Sequence, residues 1–122
     1  MKSLLNRYLY TIGLLKSRQD FVCALDVGRF LGLKPPAVSL ALRKLREQGF
    51  IVKEPDGNLS FSPSCSEYAG QICERVSFFR QTLIGLGVEP SIADQDAVIL
   101  SRKLSNISYD AFRNAFNSQN RQ

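Results

Sequence analysis

Apolar residues fall into helical registers along most of the chain and into a hairpin-like arrangement at one place. From about Ser3 to Lys16, Leu4, Leu5, Tyr8, Leu9, Ile12 and Leu15 share one face, which predicts an amphipathic first helix. A polar connection, Ser17 to Asp20, leads to Phe21-Val22-Cys23-Ala24, read either as a short strand paired with the later hairpin or as the packed entry to the next helix. Asp26–Leu31 predicts a short helix that stops at Gly32, a residue free to take the left-handed turn. After Leu33-Lys34, Pro35 suits a first helical turn, where its missing N–H costs nothing. Val38, Ala41, Leu42 and Leu45 then repeat at i, i+3, i+4 and i+7, the buried face of a second helix ending at Gly49. Phe50-Ile51-Val52 and Leu59-Ser60-Phe61 flank Pro55-Asp56-Gly57-Asn58, a strong hairpin signal. Two helices, a tight turn and a hairpin predict a winged helix-turn-helix over residues 1–62.

Ser62-Pro63-Ser64 marks a boundary, and Ser64 with Glu67 matches a capping box opening a long helix to about Leu86. Ala69, Ile72, Val76, Phe79, Leu83 and Leu86 alternate by three and four along it, a seam that asks for a partner surface. Gly85 and Gly87 end that helix. Ser91 and Asp94, after Pro90, repeat the capping-box pattern ahead of a helix to about Leu104. Ser108 is the expected cap of a last helix carrying Phe112 and Phe116, before a polar, frayed tail from Asn117. The expected fold is mainly α with a small β-hairpin wing: the winged unit, a helical dimerisation domain over residues 63–117, and a tail over 118–122. Ile72, Val76, Phe79, Leu83, Leu86, Phe112 and Phe116 are the expected homodimer contacts.

Charge sharpens this picture. Ten of the sixteen Lys and Arg but only five of the eleven acids lie within the first 62 residues, so the whole net charge of +5 belongs to the winged unit. A basic face there suits a polyanion. Chemistry is thinly supplied: the absence of histidine removes Ser-His-Asp, Cys-His and Cys/His zinc arrangements, so an enzyme is not expected. Cys23, Cys65 and Cys73 form no CxxC, and Cys65 and Cys73 lie roughly 12 Å apart along one helix, so buried reduced thiols are expected. No apolar run approaches the roughly 20 residues of a membrane helix, and the N-terminus lacks a signal-peptide pattern, which points to a cytoplasmic home.

Double-stranded DNA is therefore the expected partner, with no cofactor and no small-molecule substrate. Lys34, Pro36, Ser39, Arg43 and Lys44 lie outside the buried face of the second helix, with Arg43 suited to guanine O6/N7. Lys53 and Asn58 are candidate wing contacts, although turn chemistry explains Asn58 equally. Leu40 sits among these polar positions, where it either touches a thymine methyl or covers Leu59 of the wing. A winged-helix protein-interaction module without specific DNA binding is the alternative, separable by its weak salt dependence on random duplex.

Three stretches carry a family resemblance. Tyr8-Leu9-x-x-Ile12, Asp26-Val27 through Leu45, and Leu86-Gly87-Val88-Glu89-Pro90 with Ala93-x-x-Asp96-Ala97 resemble the diphtheria-toxin-repressor family of iron- and manganese-dependent regulators. The chain is similar to its short members without an SH3-like domain. The resemblance implies a winged helix, a helical dimerisation domain and a palindromic operator. It also implies activating-metal positions, which here hold Arg7, Tyr10, Val76, Arg80, Val98, Ser101 and Arg102, with Asp94 the one plausible surviving ligand. Valine offers no lone pair and guanidinium repels a dication, so no metal site is expected. Arginines at the former site imply either a small-anion site or pairing with Asp94 and Asp96; a metal-responsive regulator with a non-standard site is the remaining alternative.

Overall fold

The computed structural model describes residues 2–120. Helix α1 runs Lys2–Arg18, and every residue from Tyr8 to Leu15 is buried. The pattern predicted one apolar face; in the fold α1 packs against α2 (Ala24–Leu31), α3 (Pro35–Glu47), α4 (Ser66–Gly85) and α5 (Pro90–Lys103). Tyr10, Thr11 and Leu14 are therefore enclosed along with Tyr8, Leu9, Ile12 and Leu15 of the predicted stripe, while Leu4 at its start is exposed and Leu5 half-buried. Thr11, polar and fully enclosed, donates its hydroxyl to the Arg7 carbonyl at 2.8 Å, so no buried group is left unpaired there.

The two helices of the turn motif lie where the pattern placed them, with one shift. Helix α2 begins two residues early, because Asp26 is not its first residue but its third, accepting the Cys23 N–H at 3.0 Å from inside the first turn. Strands β1 (Ile51–Lys53) and β2 (Leu59–Phe61) pair antiparallel, with Ile51 opposite Phe61 and Lys53 opposite Leu59. The Phe21–Ala24 segment is not a strand; it is the packed entry to α2, yet Val22 still bonds the wing, its carbonyl accepting the Leu59 N–H at 2.7 Å.

Three expected caps are relocated. Pro63 opens a 3-10 turn over Pro63–Cys65, which delays α4 to Ser66 and leaves the Ser64 hydroxyl to donate to the Gly49 carbonyl at 3.4 Å. At α5 the cap is Glu89, whose carboxylate accepts the Ser91 N–H and the Ser91 hydroxyl, while the Asp94 side chain turns elsewhere. The last helix, α6, runs Asn106–Asn120, and Ser105 rather than Ser108 caps it by accepting the Ser108 N–H at 3.2 Å. The backbone stays helical past Asn117, where a frayed tail was expected; Arg121 and Gln122, the end of that tail, lie outside the described residues.

The α4 seam also changes meaning. Ile72, Val76 and Phe79 are buried inside a single copy, within the same core cluster as Tyr8, Ile12, Leu42 and Leu45. They do not form a free seam for a partner, because α1 and α5 already cover them. Periodicity registers that a face needs cover, not which chain supplies it. What remains open lies toward the far end of the lobe: Leu86 is 67 % exposed and Phe112 46 %, with Leu83 and Phe116 half-buried. Helix α6 joins α4 through ring edges, Phe78 to Tyr109 at 5.7 Å and Phe79 to Phe112 at 6.1 Å between centroids.

The tightest point is Gly13. A Cβ built there would lie 2.6 Å from Ile72 Cγ2, a β-branched atom with little room to move. Gly70, on the open side of α4, meets nothing within 4 Å. Gly13→Ala is expected to destabilise the protein by about 1–3 kcal/mol through overpacking, whereas Gly70→Ala stabilises by roughly 0.5–1 kcal/mol. Urea midpoints of the two variants check the opposite signs.

Candidate nucleic-acid interface

The turn between α2 and α3 is built by close approach. Gly32 takes φ 69° and its N–H returns to the Gly28 carbonyl, ending α2 in a conformation that side chains rarely adopt. Gly28 faces α3, where a Cβ would stand 3.3 Å from Val38 Cγ2. Lys34 is the extended residue before α3, and Pro35 occupies its first position.

Val38, Ala41, Leu42 and Leu45 are buried, so at 3.6 residues per turn the opposite face centres on Pro36, Leu40, Arg43 and Glu47. Ser39 lies on one flank of this face and Lys44 on the other. Lys34, Pro36, Ser39 and Arg43 are exposed and Lys44 is half-buried, so the structure brings these predicted residues together along α3. Arg43 meets Glu47 at 3.6 Å, an exposed i,i+4 pair worth only about 0.3–0.5 kcal/mol, so the guanidinium is readily diverted. Arg29 was missed: it is exposed on α2 and lines, with Ser39, a hollow of about 310 Å³ between the two helices. Its register outside the buried α2 face was the available signal.

The wing divides the two residues assigned to it. Lys53 is exposed beside Glu54 and Asp56, which weaken its field. Asn58 faces inward: its side-chain oxygen accepts Lys16 Nζ at 2.8 Å and the Val22 N–H at 3.0 Å. Turn and anchor chemistry therefore accounts for Asn58, and its side-chain oxygen is already committed.

At positions that the family resemblance matches to metal ligands, charge is organised around Asp94. Its carboxylate, 6 % exposed, accepts Arg18 at 2.8 Å and Arg80 at 2.6 Å, joining α1, α4 and α5. Pairing of Arg80 with Asp94 follows the expectation; Arg18, at the end of α1, was not foreseen. Arg7 and Arg102 are not on Asp94. Burial and then the field of Arg7 lower the Arg102 pKa, while Tyr10 raises it. Val76 and Val98 are core residues and Ser101 is enclosed. No group of three or more His, Cys, Asp or Glu able to hold a metal occurs among the described residues, so the residues at these positions do not fit a divalent cation. Arg75, also unforeseen, is buried and donates to the Ser101 and Leu104 carbonyls at 2.8 and 2.9 Å and to Asn106 at 2.6 Å, linking the end of α5 to α6. It stacks 4.5 Å from the Tyr109 ring centroid. The three cysteines are free, and burial pushes the Cys73 thiol up, away from reactivity.

A helix-turn-helix carrying a two-stranded wing, packed on a long first helix and continued by an α-helical lobe, defines a winged helix-turn-helix protein. The chain belongs to the family of diphtheria-toxin-repressor and manganese-transport regulators. It is 32 % identical over 87 residues to the transcriptional regulator MntR of Salmonella typhimurium, covering 71 % of this chain and 55 % of that protein. It is 31 % identical over 88 residues to MntR of Escherichia coli O157:H7, covering 72 % and 57 %. The chain thus spans little more than half the length of these relatives. The fold recurs in the manganese regulator SloR, with TM-score 0.65, 17 % identity and 93 % of this chain and 53 % of that one covered. It recurs also in the metal-dependent transcriptional regulator MtsR, with TM-score 0.67, 20 % identity, and 96 % and 55 % covered. IdeR of T. acidophilum gives TM-score 0.67 at 17 % identity, with 92 % and 53 % covered. No protein-family model matches the chain.

Removing Asp94 leaves two guanidiniums facing each other. Asp94→Ala is expected to cost about 2–4 kcal/mol, less than a fully buried case because both arginines reach solvent. Arg18→Ala, on the more exposed partner, is expected to cost under about 1 kcal/mol. Chemical denaturation of the two variants checks that order.

Proposed function

We propose that the chain is a sequence-specific duplex-DNA-binding transcriptional regulator, acting as a repressor and as a homodimer on a pseudo-palindromic operator, without a transition metal. The outer face of α3 carries this reading: Lys34 at its cap, Ser39 and Arg43 on the exposed side and Lys44 on the flank belong to the second helix of a helix-turn-helix, the element that such folds lay in the major groove. Lys34 and Lys44 serve phosphates, Arg43 a guanine edge, and Ser39 with Arg29 the flanking backbone. Similarity to proteins named as transcriptional regulators supports the same reading.

Two copies meet through the surface left uncovered at the far end of the lobe, Leu83, Leu86, Phe112 and Phe116, with the exposed Ile107 nearby in sequence on α6. A two-fold pair spaces its recognition helices by about 34–36 Å, one helical turn of DNA. Where metal-dependent relatives would use a cation, Asp94 and its two arginines join α1, α4 and α5, so DNA competence does not wait on an ion.

Selection of bound duplexes from a random pool, with and without chelator, gives the primary test. One enriched two-fold sequence, unchanged by chelator, is the expected result; micromolar manganese, ferrous or zinc affinity coupled to tighter operator binding would overturn metal independence. Arg43→Ala is expected to cost roughly 1–3 kcal/mol on the selected site and far less on random duplex, while Lys53→Ala weakens both alike and flattens the salt slope. Light scattering is expected to give a dimer at micromolar concentration, lost in Leu86→Glu/Phe112→Glu.

A further inference from the structure

The centre of the α3 face is apolar, and this carries a further inference. Leu40 is 45 % exposed, between Pro36 one turn before and Arg43 one turn after. Leu59 is wholly enclosed in the core, whereas Leu40 keeps nearly half its surface open. The apolar neighbours of Leu40 lie elsewhere: Leu4, Leu5, Tyr8, Leu33, Ala37 and Ala41 share with it an open hollow of about 240 Å³ toward the start of α1.

Resting on the DNA-binding reading above, we infer that Leu40 reads the C5-methyl group of a thymine in the major groove. Apart from the small C5–H of cytosine, every other group that a base pair shows in that groove is a hydrogen-bond donor or acceptor. Leucine offers neither, and pressing it on a polar edge would strip water from a group without replacing the bond. The thymine methyl is the one groove feature that gains from this contact. The surrounding charges suit the same target. Lys44 flanks Leu40 for the backbone, and Arg43 lies three residues on, about 4.5 Å along the helix axis. That distance sets the methyl within one or two base steps of the guanine assigned to Arg43, since steps are about 3.4 Å. The half-site is therefore expected to place a thymine beside or one base removed from a guanine.

Deoxyuridine in place of thymidine removes only the methyl group. In the selected operator, one thymine per half-site is expected to show about a fourfold loss of affinity on this exchange, and about fifteenfold when both half-sites carry it. Leu40→Ala is expected to lose the same factor on the thymine operator and to be indifferent to deoxyuridine at that position. Leu40→Met, which restores apolar contact, is expected to regain the sensitivity. Affinity for random duplex is expected to change far less than affinity for the operator, with its salt slope kept in both variants. Wild-type protein indifferent to every such exchange, or Leu40→Ala as sensitive as wild type, overturns the methyl reading while leaving DNA binding intact. Failure of the full chain to retain any duplex overturns both.

Discussion

Every other part of the structure depends on α1 being enclosed on all sides. A helix with eight consecutive buried residues needs neighbours all around it, and here they come from both halves of the sequence: α2 and α3 soon after it, α4 and α5 much later in the chain. The core is consequently continuous across the change of element at Pro63. Gly13 is the local signature of this arrangement, the place where α1 and α4 touch too closely for a side chain. The orientation of the turn motif relative to the helical lobe follows from α1, because α1 contacts both.

Charge reinforces the same junction. Asp94 alone would be a poorly hydrated carboxylate in an enclosed position; two guanidiniums, each partly open to solvent, supply its bonds and keep some hydration of their own. Gln95, its neighbour on α5, donates to the Phe30 carbonyl at 2.9 Å and adds a direct tie to α2. Arg75 solves a related problem differently. Its hydrogen bonds go to Asn106 and to the carbonyls ending α5, where the helix dipole is negative, and the Tyr109 ring stacks on it. Of these cations, Arg80 stands at a position where the family resemblance implies a metal ligand.

How much was legible in the sequence tracks how local each signal is. Gly32, Pro35 and the Pro55–Asn58 turn act within a few residues, and the turn motif and wing appear where they predict. Capping was less legible, because a serine followed by an acid three residues later is cheap to match. Pro63 and Glu89 each moved a helix start by their own local geometry. The enclosure of α1 and the partners of Arg18 and Arg75 were not legible. The partners of Arg18 and Arg75 lie 26 or more positions away, much of the cover over α1 comes from the distant α4 and α5, and periodicity records only that a face is apolar. Arg80 and Asp94 were foreseen through the family resemblance rather than through their spacing. On the recognition face, register alone placed Ser39 and Arg43 outward, but it could not separate the outward Asn58 of a turn from the inward anchor it proves to be.

That anchor has a consequence for the wing. A two-stranded hairpin of three-residue strands is marginal by itself and would sample many orientations in water. Lys16, Val22 and Asn58 fasten its second strand to the connection between α1 and α2 before any partner arrives. The rotational and backbone freedom that a loose hairpin would surrender on docking has already been surrendered in folding. Whatever surface the wing meets, it meets as a preorganised element, with its fit limited by shape and charge rather than by the entropy of becoming ordered.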